Sequence, residues 1–233
     1  MNIDNLSASD GYLRGLKKRN PIAFINGRGE SDSVNSDKVE NWKNNLNEII
    51  NNYDSNEIYN CDETGMFWRL LPNKTFSFEK DSRKGIKKSH DRVTVLLITN
   101  MNGNDKDIFI IGKSQNPICF RSPKNEGEAK NISEAKQIYF RHKNSWMDST
   151  IFQKIIKIFN KMRKRNKKVL LFLDNCTSHI MDNELSNVKL IFFPSNTTSV
   201  LQPLDQGIIT NFKSFYRKNL ISFMISNLES NEK

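Results

Sequence analysis

Val169-Leu170-Leu171-Phe172-Leu173-Asp174-Asn175-Cys176-Thr177-Ser178-His179 is the stretch on which the fold reading turns. Its unbroken apolar run, entered from Lys167-Lys168 and closed by a carboxylate, marks a strand buried on both faces. A carboxylate directly after such a strand projects from the sheet end, where α/β proteins build their sites. Upstream, Asp148 or Ser149 caps a helix predicted over residues 149–166, with Ile151, Phe152, Ile155, Phe159 and Met162 at the 3.6-residue period. Downstream, a short helix is expected through Leu185. Val188–Phe193 then reads as a second buried strand stopped by Pro194.

Further out the pattern continues. The spacing of Val39, Trp42, Leu46, Ile49 and Ile50 predicts a helix over 37–52. Ile58 and Tyr59 lead a short strand that ends at Asp62, and Thr75–Phe78 suggests another. Arg92–Thr99 is the clearest early strand; Asn102-Gly103 turns the chain, and Asp107–Ile111 returns it as a hairpin. Residues 113–147 give no clear pattern. Ser195–Pro203 is a polar loop, and 205–226 closes as a helix with a broad apolar face. A strand meander followed by helix–strand–helix–strand–helix suits an α/β fold, a mixed sheet with flanking helices.

The 233 residues allow one good-sized domain with an ample core. Thirty-six lysines and arginines against 26 aspartates and glutamates give a net charge of +10, which points to a polyanionic partner, most often nucleic acid. No apolar run approaches the ~18–20 residues of a membrane span, and the first twenty residues lack the apolar centre of a signal peptide. Cys61, Cys119 and Cys176 form no CxxC pair, so neither a disulfide framework nor a zinc ribbon is expected, and the compartment reads as reducing. Nothing points to a membrane or a small-molecule cofactor.

Three acidic residues fall at predicted element ends: Asp62 after the first strand, Asp174 after the buried strand and Asp205 at the start of the last helix. Neighbouring central strands would bring Asp62 and Asp174 together, and the loop before Asp205 could return a third carboxylate to the same place. Converging carboxylates repel one another unless divalent cations neutralise them, and hard oxygen ligands suit Mg²⁺ or Mn²⁺. Two such ions about 4 Å apart serve in-line attack at phosphorus. Each aspartate also has a plainer reading, Asp62 as a turn residue and Asp174 and Asp205 as helix caps. Spacing leaves the two readings even.

The strings Asn60-Cys61-Asp62-Glu63-Thr64-Gly65, Leu171-Phe172-Leu173-Asp174-Asn175-Cys176-Thr177-Ser178-His179 and Asn196-Thr197-Thr198-Ser199-Val200-Leu201-Gln202-Pro203-Leu204-Asp205-Gln206-Gly207 occur in that order. Together they resemble the catalytic core of the pogo–Tigger–jerky group of DDE transposases, in the mariner-type superfamily. The resemblance covers roughly residues 37–225. It implies an RNase H-like fold, with Asp62, Asp174 and Asp205 as catalytic, metal-holding residues. It also implies two Mg²⁺ or Mn²⁺ ions, cleavage and joining of DNA, a homodimer while two ends are joined, and a nuclear location. Ala8–Asn20 resembles the last helix of a centromere protein B-type helix-turn-helix, the rest of which is expected upstream. The domains are then 1–34, a remnant of that motif plus linker; 35–228, the DDE catalytic domain; and 229–233, a tail. Two rivals remain: a transposase-derived DNA-binding or chromatin protein without catalysis, and another RNase H-like nuclease.

Lys84, Lys87, Lys88 and Arg92 are candidate DNA contacts because they lie in a basic stretch before the strong strand. His179 is a further candidate, touching the scissile phosphate or orienting a carboxylate; its plain alternative is a histidine bonded to backbone. The basic run of residues 161–168 reads as a solvated helix end or an import signal. Glu63 is expected to face away from Asp62, since adjacent strand residues alternate. Cys61 and Cys176 read as packed thiols, and Trp42, Trp68 and Trp146 as core or interface residues.

Overall fold

The computed structural model describes residues 10–19, 36–68, 91–121, 126–163, 168–182 and 184–231. Among them the strands are β1 (Ile58–Phe67), β2 (Arg92–Asn100), β3 (Lys106–Gly112), β4 (Tyr139–Arg141), β5 (Val169–Leu173) and β6 (Val188–Phe192). They make one sheet in the order β4-β3-β2-β1-β5-β6. β1, β2 and β3 form an antiparallel meander, while β4 joins β3, β5 joins β1 and β6 joins β5 in parallel. The helices are α1 (Asp10–Arg19), α2 (Ser36–Ile50), α3 (Glu126–Gln137), α4 (Ser149–Met162), α5 (Thr198–Leu201) and α6 (Ile208–Asn231).

Alternation along the strands sorts the core onto two faces. On one, Cys61, Leu96, Ile98, Phe109, Leu171 and Leu173 meet the buried stripe of α4, Phe152, Ile155, Ile156 and Phe159. The stripe follows the helical period, and Asp148 caps the helix, its Oδ1 accepting from Ile151 N at 2.8 Å. Each such fully buried side chain contributes about 1.5–3 kcal/mol. The opposite face carries two smaller clusters. Val95 and Leu97 lie under Leu204 and Ile209, and Leu170 and Phe172 pack with Phe193 and with Trp42 and Leu46 of α2.

Several expectations are corrected. β1 continues past Asp62 to Phe67, because its antiparallel pairing with β2 extends to Phe67↔Arg92. Asp62 is therefore a mid-strand residue. Asp205 closes a 3-10 turn, Pro203–Asp205, and α6 starts only at Ile208. Between β5 and β6 the described residues form turns rather than a helix. The stretch 113–147 contains α3 and the edge strand β4. Arg163, expected on a solvated helix end, turns inward: its guanidinium lies 2.5 Å from Asp105 Oδ2 and 2.7 Å from Asp107 Oδ2. Cys176 is exposed rather than packed. The Thr75–Phe78 strand and Lys84, Lys87 and Lys88 fall outside the described residues, as do residues 164–167. Among the described residues, no helix is long and apolar enough to cross a membrane.

Candidate active site

The site is built where β1 loses one neighbour. β5 pairs with β1 only from Ile58 to Asn60, the last pair being Asn60↔Phe172. Asp62 stands two residues past that pair on β1 and Asp174 directly follows the end of β5, so both lie beyond the last pair at the same end of the sheet. Asp205 reaches the same place from the 3-10 turn through a buried polar clasp. Asn60 Nδ2 donates to Phe172 O at 3.0 Å and to Gln202 Oε1 at 2.5 Å. Gln202 Nε2 donates to Cys61 O at 3.0 Å, and Leu204 N donates to Asn60 Oδ1 at 3.2 Å. Leu204, 1% exposed, anchors the turn in the core. Buried amide groups are costly unless paired, and here each amide finds partners.

The carboxylates feel one another. Burial first, and then the charges of Asp205, Glu63 and Asp174, push Asp62 up to about 8, against the hydrogen bond it accepts from Glu63 N at 2.8 Å. Asp205 is also raised, chiefly by burial and by the charge of Asp174; its hydrogen bond with Asp62 and the nearby Lys213 work the other way. Lys213 on α6 is lowered by burial and by Arg217, while Asp205 and Asp62 oppose that shift.

Glu63 points to the other face, as alternation requires. There His179, 3% exposed and stacked on Phe152 at 4.4 Å, sits between two carboxylates. Its Nε2 lies 2.9 Å from Glu63 Oε1 and its Nδ1 2.7 Å from Asp174 Oδ1. Burial alone would lower its pKa; pairing with Asp174 and Glu63 outweighs this and carries it to about 10. An expected DNA contact through His179 does not fit this placement, because both ring nitrogens are engaged and the ring is buried. One ligand atom each from Glu63, Asp174 and His179 lie within 4.8 Å of one another. His179 thus ties Glu63 to Asp174 and braces the Asp174 carboxylate. Asp62 and Asp205 share a hydrogen bond, and the charge of Asp174 reaches both, so the three carboxylates expected from the sequence face one neighbourhood.

Arg92, also expected at DNA, stacks over the Trp146 ring at 4.6 Å and donates from Nη2 to Thr94 Oγ1 at 3.0 Å. Sequence reading missed Asn60, Gln202 and Lys213. The first two lie inside the strings that drew attention to Asp62 and Asp205, at spacings of two and three residues, but nothing marked them as partners.

This sheet order, with helices on both faces, is the RNase H-like fold. A model of the DDE superfamily endonuclease matches residues 90–233, more than half of the chain, and the chain belongs to that family. Its relatives include the mouse Tigger transposable element-derived protein 4, 31% identical over 98% of this chain and 44% of the relative. CENP-B homolog protein 2 of Schizosaccharomyces pombe is 32% identical over 94% of this chain and 43% of its own length. The human Jerky protein homolog is 30% identical over 88% and 37%. The chain thus spans less than half the length of these curated relatives. Among solved structures, the Mos1 Strand Transfer Complex superposes with a TM-score of 0.51 at 11% identity, over 94% of this chain and 61% of that one, a likeness of fold.

Proposed function

We propose that this chain carries the catalytic core of a DNA transposase-type endonuclease and strand transferase, with Asp62, Asp174 and Asp205 as its metal-holding carboxylates. The observation that supports this reading best is the neighbourhood of the three carboxylates: Asp62 and Asp205 are hydrogen-bonded, and Asp174 is close enough for its charge to act on both. The chemistry that two Mg²⁺ or Mn²⁺ ions supply in such a set is activation of the attacking oxygen and stabilisation of the leaving 3′ oxygen at phosphorus. The chain's own residues hold the set in place. The Asn60–Gln202 clasp fixes the turn that bears Asp205, His179 braces Asp174, and Lys213 tempers the negative charge.

DNA is the polyanion that the net charge of +10 fits. With that substrate go a nuclear location and a homodimer while two DNA ends are joined. Residues 35–228 form the catalytic domain in this reading, residues 1–34 the end of a helix-turn-helix with its linker, and 229–233 a tail.

The test is Mn²⁺ calorimetry on wild type and Asp174→Asn, with circular dichroism as the folding control. Binding by wild type and its loss in the folded variant is expected, followed by Mn²⁺-dependent plasmid nicking by wild type alone. A well-folded wild type that binds no Mn²⁺ overturns the catalytic reading in favour of a transposase-derived DNA-binding or chromatin protein.

A further inference from the structure

Trp146 is 57% exposed, yet the backbone that carries it is fixed by hydrogen bonds. Ser145 before it is 0% exposed and adopts φ 54, a conformation that a non-glycine residue keeps only when its surroundings enforce it. Thr94 Oγ1 donates to Ser145 O at 2.5 Å, and Trp146 N donates to His142 Nδ1 at 3.1 Å. Arg92, bonded to the same Thr94, lays its guanidinium over the indole. Gly65 lies against that guanidinium: a Cβ there would stand 3.4 Å from Arg92 Cζ, in ordinary van der Waals contact. Arg92 Nε, buried, has no hydrogen-bond partner among the described residues, so the group is placed for stacking rather than for a second bond. An exposed indole gains little from burial, so folding alone does not account for this support.

Its position suggests what it meets. Gly65 pairs with Thr94 and lies two residues, about 7 Å, beyond Glu63 on the same face of β1. Trp146 also lies three residues before α4, whose Phe152 stacks on His179. The indole therefore stands on the Glu63–His179 side of β1, the side from which His179 reaches Asp174, with a cation on it and the exposed Arg141 and Lys143 nearby in the chain. We infer that Trp146, backed by Arg92, is a stacking platform for an unpaired DNA base at the strand end being cut or joined. A flat π-face flanked by a guanidinium and basic residues matches a nucleobase carried on a phosphate backbone. The inference rests on the DDE reading of the site.

The test compares two DNA duplexes of one sequence, one blunt and one forked, the fork carrying 2-aminopurine among three unpaired bases, with Ca²⁺ replacing Mn²⁺. Wild type is expected to bind the fork more tightly and to quench the 2-aminopurine. Trp146→Ala and Trp146→Leu are expected to lose the quenching and about tenfold or more of the fork affinity, leaving blunt binding unchanged, and Trp146→Phe to retain most of both. Equal affinity of wild type for the two duplexes, no DNA binding at all, or equal losses on both in the variants would overturn the proposal. Mn²⁺ calorimetry on the same variants separates the two readings, because metal binding is expected to survive loss of the indole.

Discussion

Asn60 and Gln202 meet side chain to side chain at 2.5 Å, and neither is open to solvent. One stands two residues before Asp62 and the other three before Asp205, so segments 142 residues apart are tied together just below their carboxylates. Gln202→Leu would strip the partner from Cys61 O and one partner from Asn60 Nδ2. A loss of about 2 kcal/mol is expected from such buried groups, read as a lower urea midpoint, together with weaker Mn²⁺ binding. An unchanged midpoint would make the clasp incidental.

Asp62 sets a pH dependence of the metal-free chain. Its folded pKa, about 8, lies above the ordinary carboxylate value, so between about pH 4 and 8 the folded state keeps a proton that the unfolded state has released. Stability is therefore expected to fall as pH rises through this window, by up to about 1.4 kcal/mol per unit from this one group. Asp62→Asn should flatten the slope and raise the melting temperature at pH 8. A variant as pH-sensitive as wild type would contradict the assignment.

His179 acts in the opposite sense. Its folded pKa is raised to about 10, so its contribution is complete below its ordinary value near 6.5 and is lost as pH rises through 10. Nitrogen-15 NMR of the imidazole should report a doubly protonated ring at pH 8. His179→Ala is expected to cost about 2–3 kcal/mol, less than the ~3–5 kcal/mol of a fully buried pair because Glu63 and Asp174 are partly open. A ring that titrates near 6.5 would dismiss the brace.

The cap of α4 gives a simpler case. Asp148→Ala removes the acceptor of Ile151 N and is expected to lower stability by about 1 kcal/mol, or roughly 2–4 °C in Tm. Asp148→Asn or Asp148→Ser should recover most of it in a thermal melt.

Hydrophobic period made much of this fold legible. Val169–Leu173 matched β5 residue for residue, and the α4 stripe and the β2–β3 hairpin with its turn at Gly103 followed from local pattern alone. What escaped was decided by neighbours. The length of β1 depends on β2 being present opposite Phe67, and the three-residue β4 is set by its pairing with β3. At the site, the positions of Asp62, Asp174 and Asp205 could be singled out because each follows or lies beside an apolar run. The clasp could not, since an asparagine and a glutamine 142 residues apart leave no periodic trace. Arg163 shows the same limit: charge count made it a surface group, but Asp105 and Asp107 drew it inward.

The clasp and the carboxylates pull folding in opposite directions, and that bears on how such a chain ages. Asp62 strains the fold and Asn60 relieves it, so a lineage released from cutting DNA gains robustness by discarding the first and suffers by discarding the second. Retirement from catalysis is thus an easy descent: the expected fossil is a chain with its asparagine–glutamine tie intact and its acidic set eroded. This chain holds both.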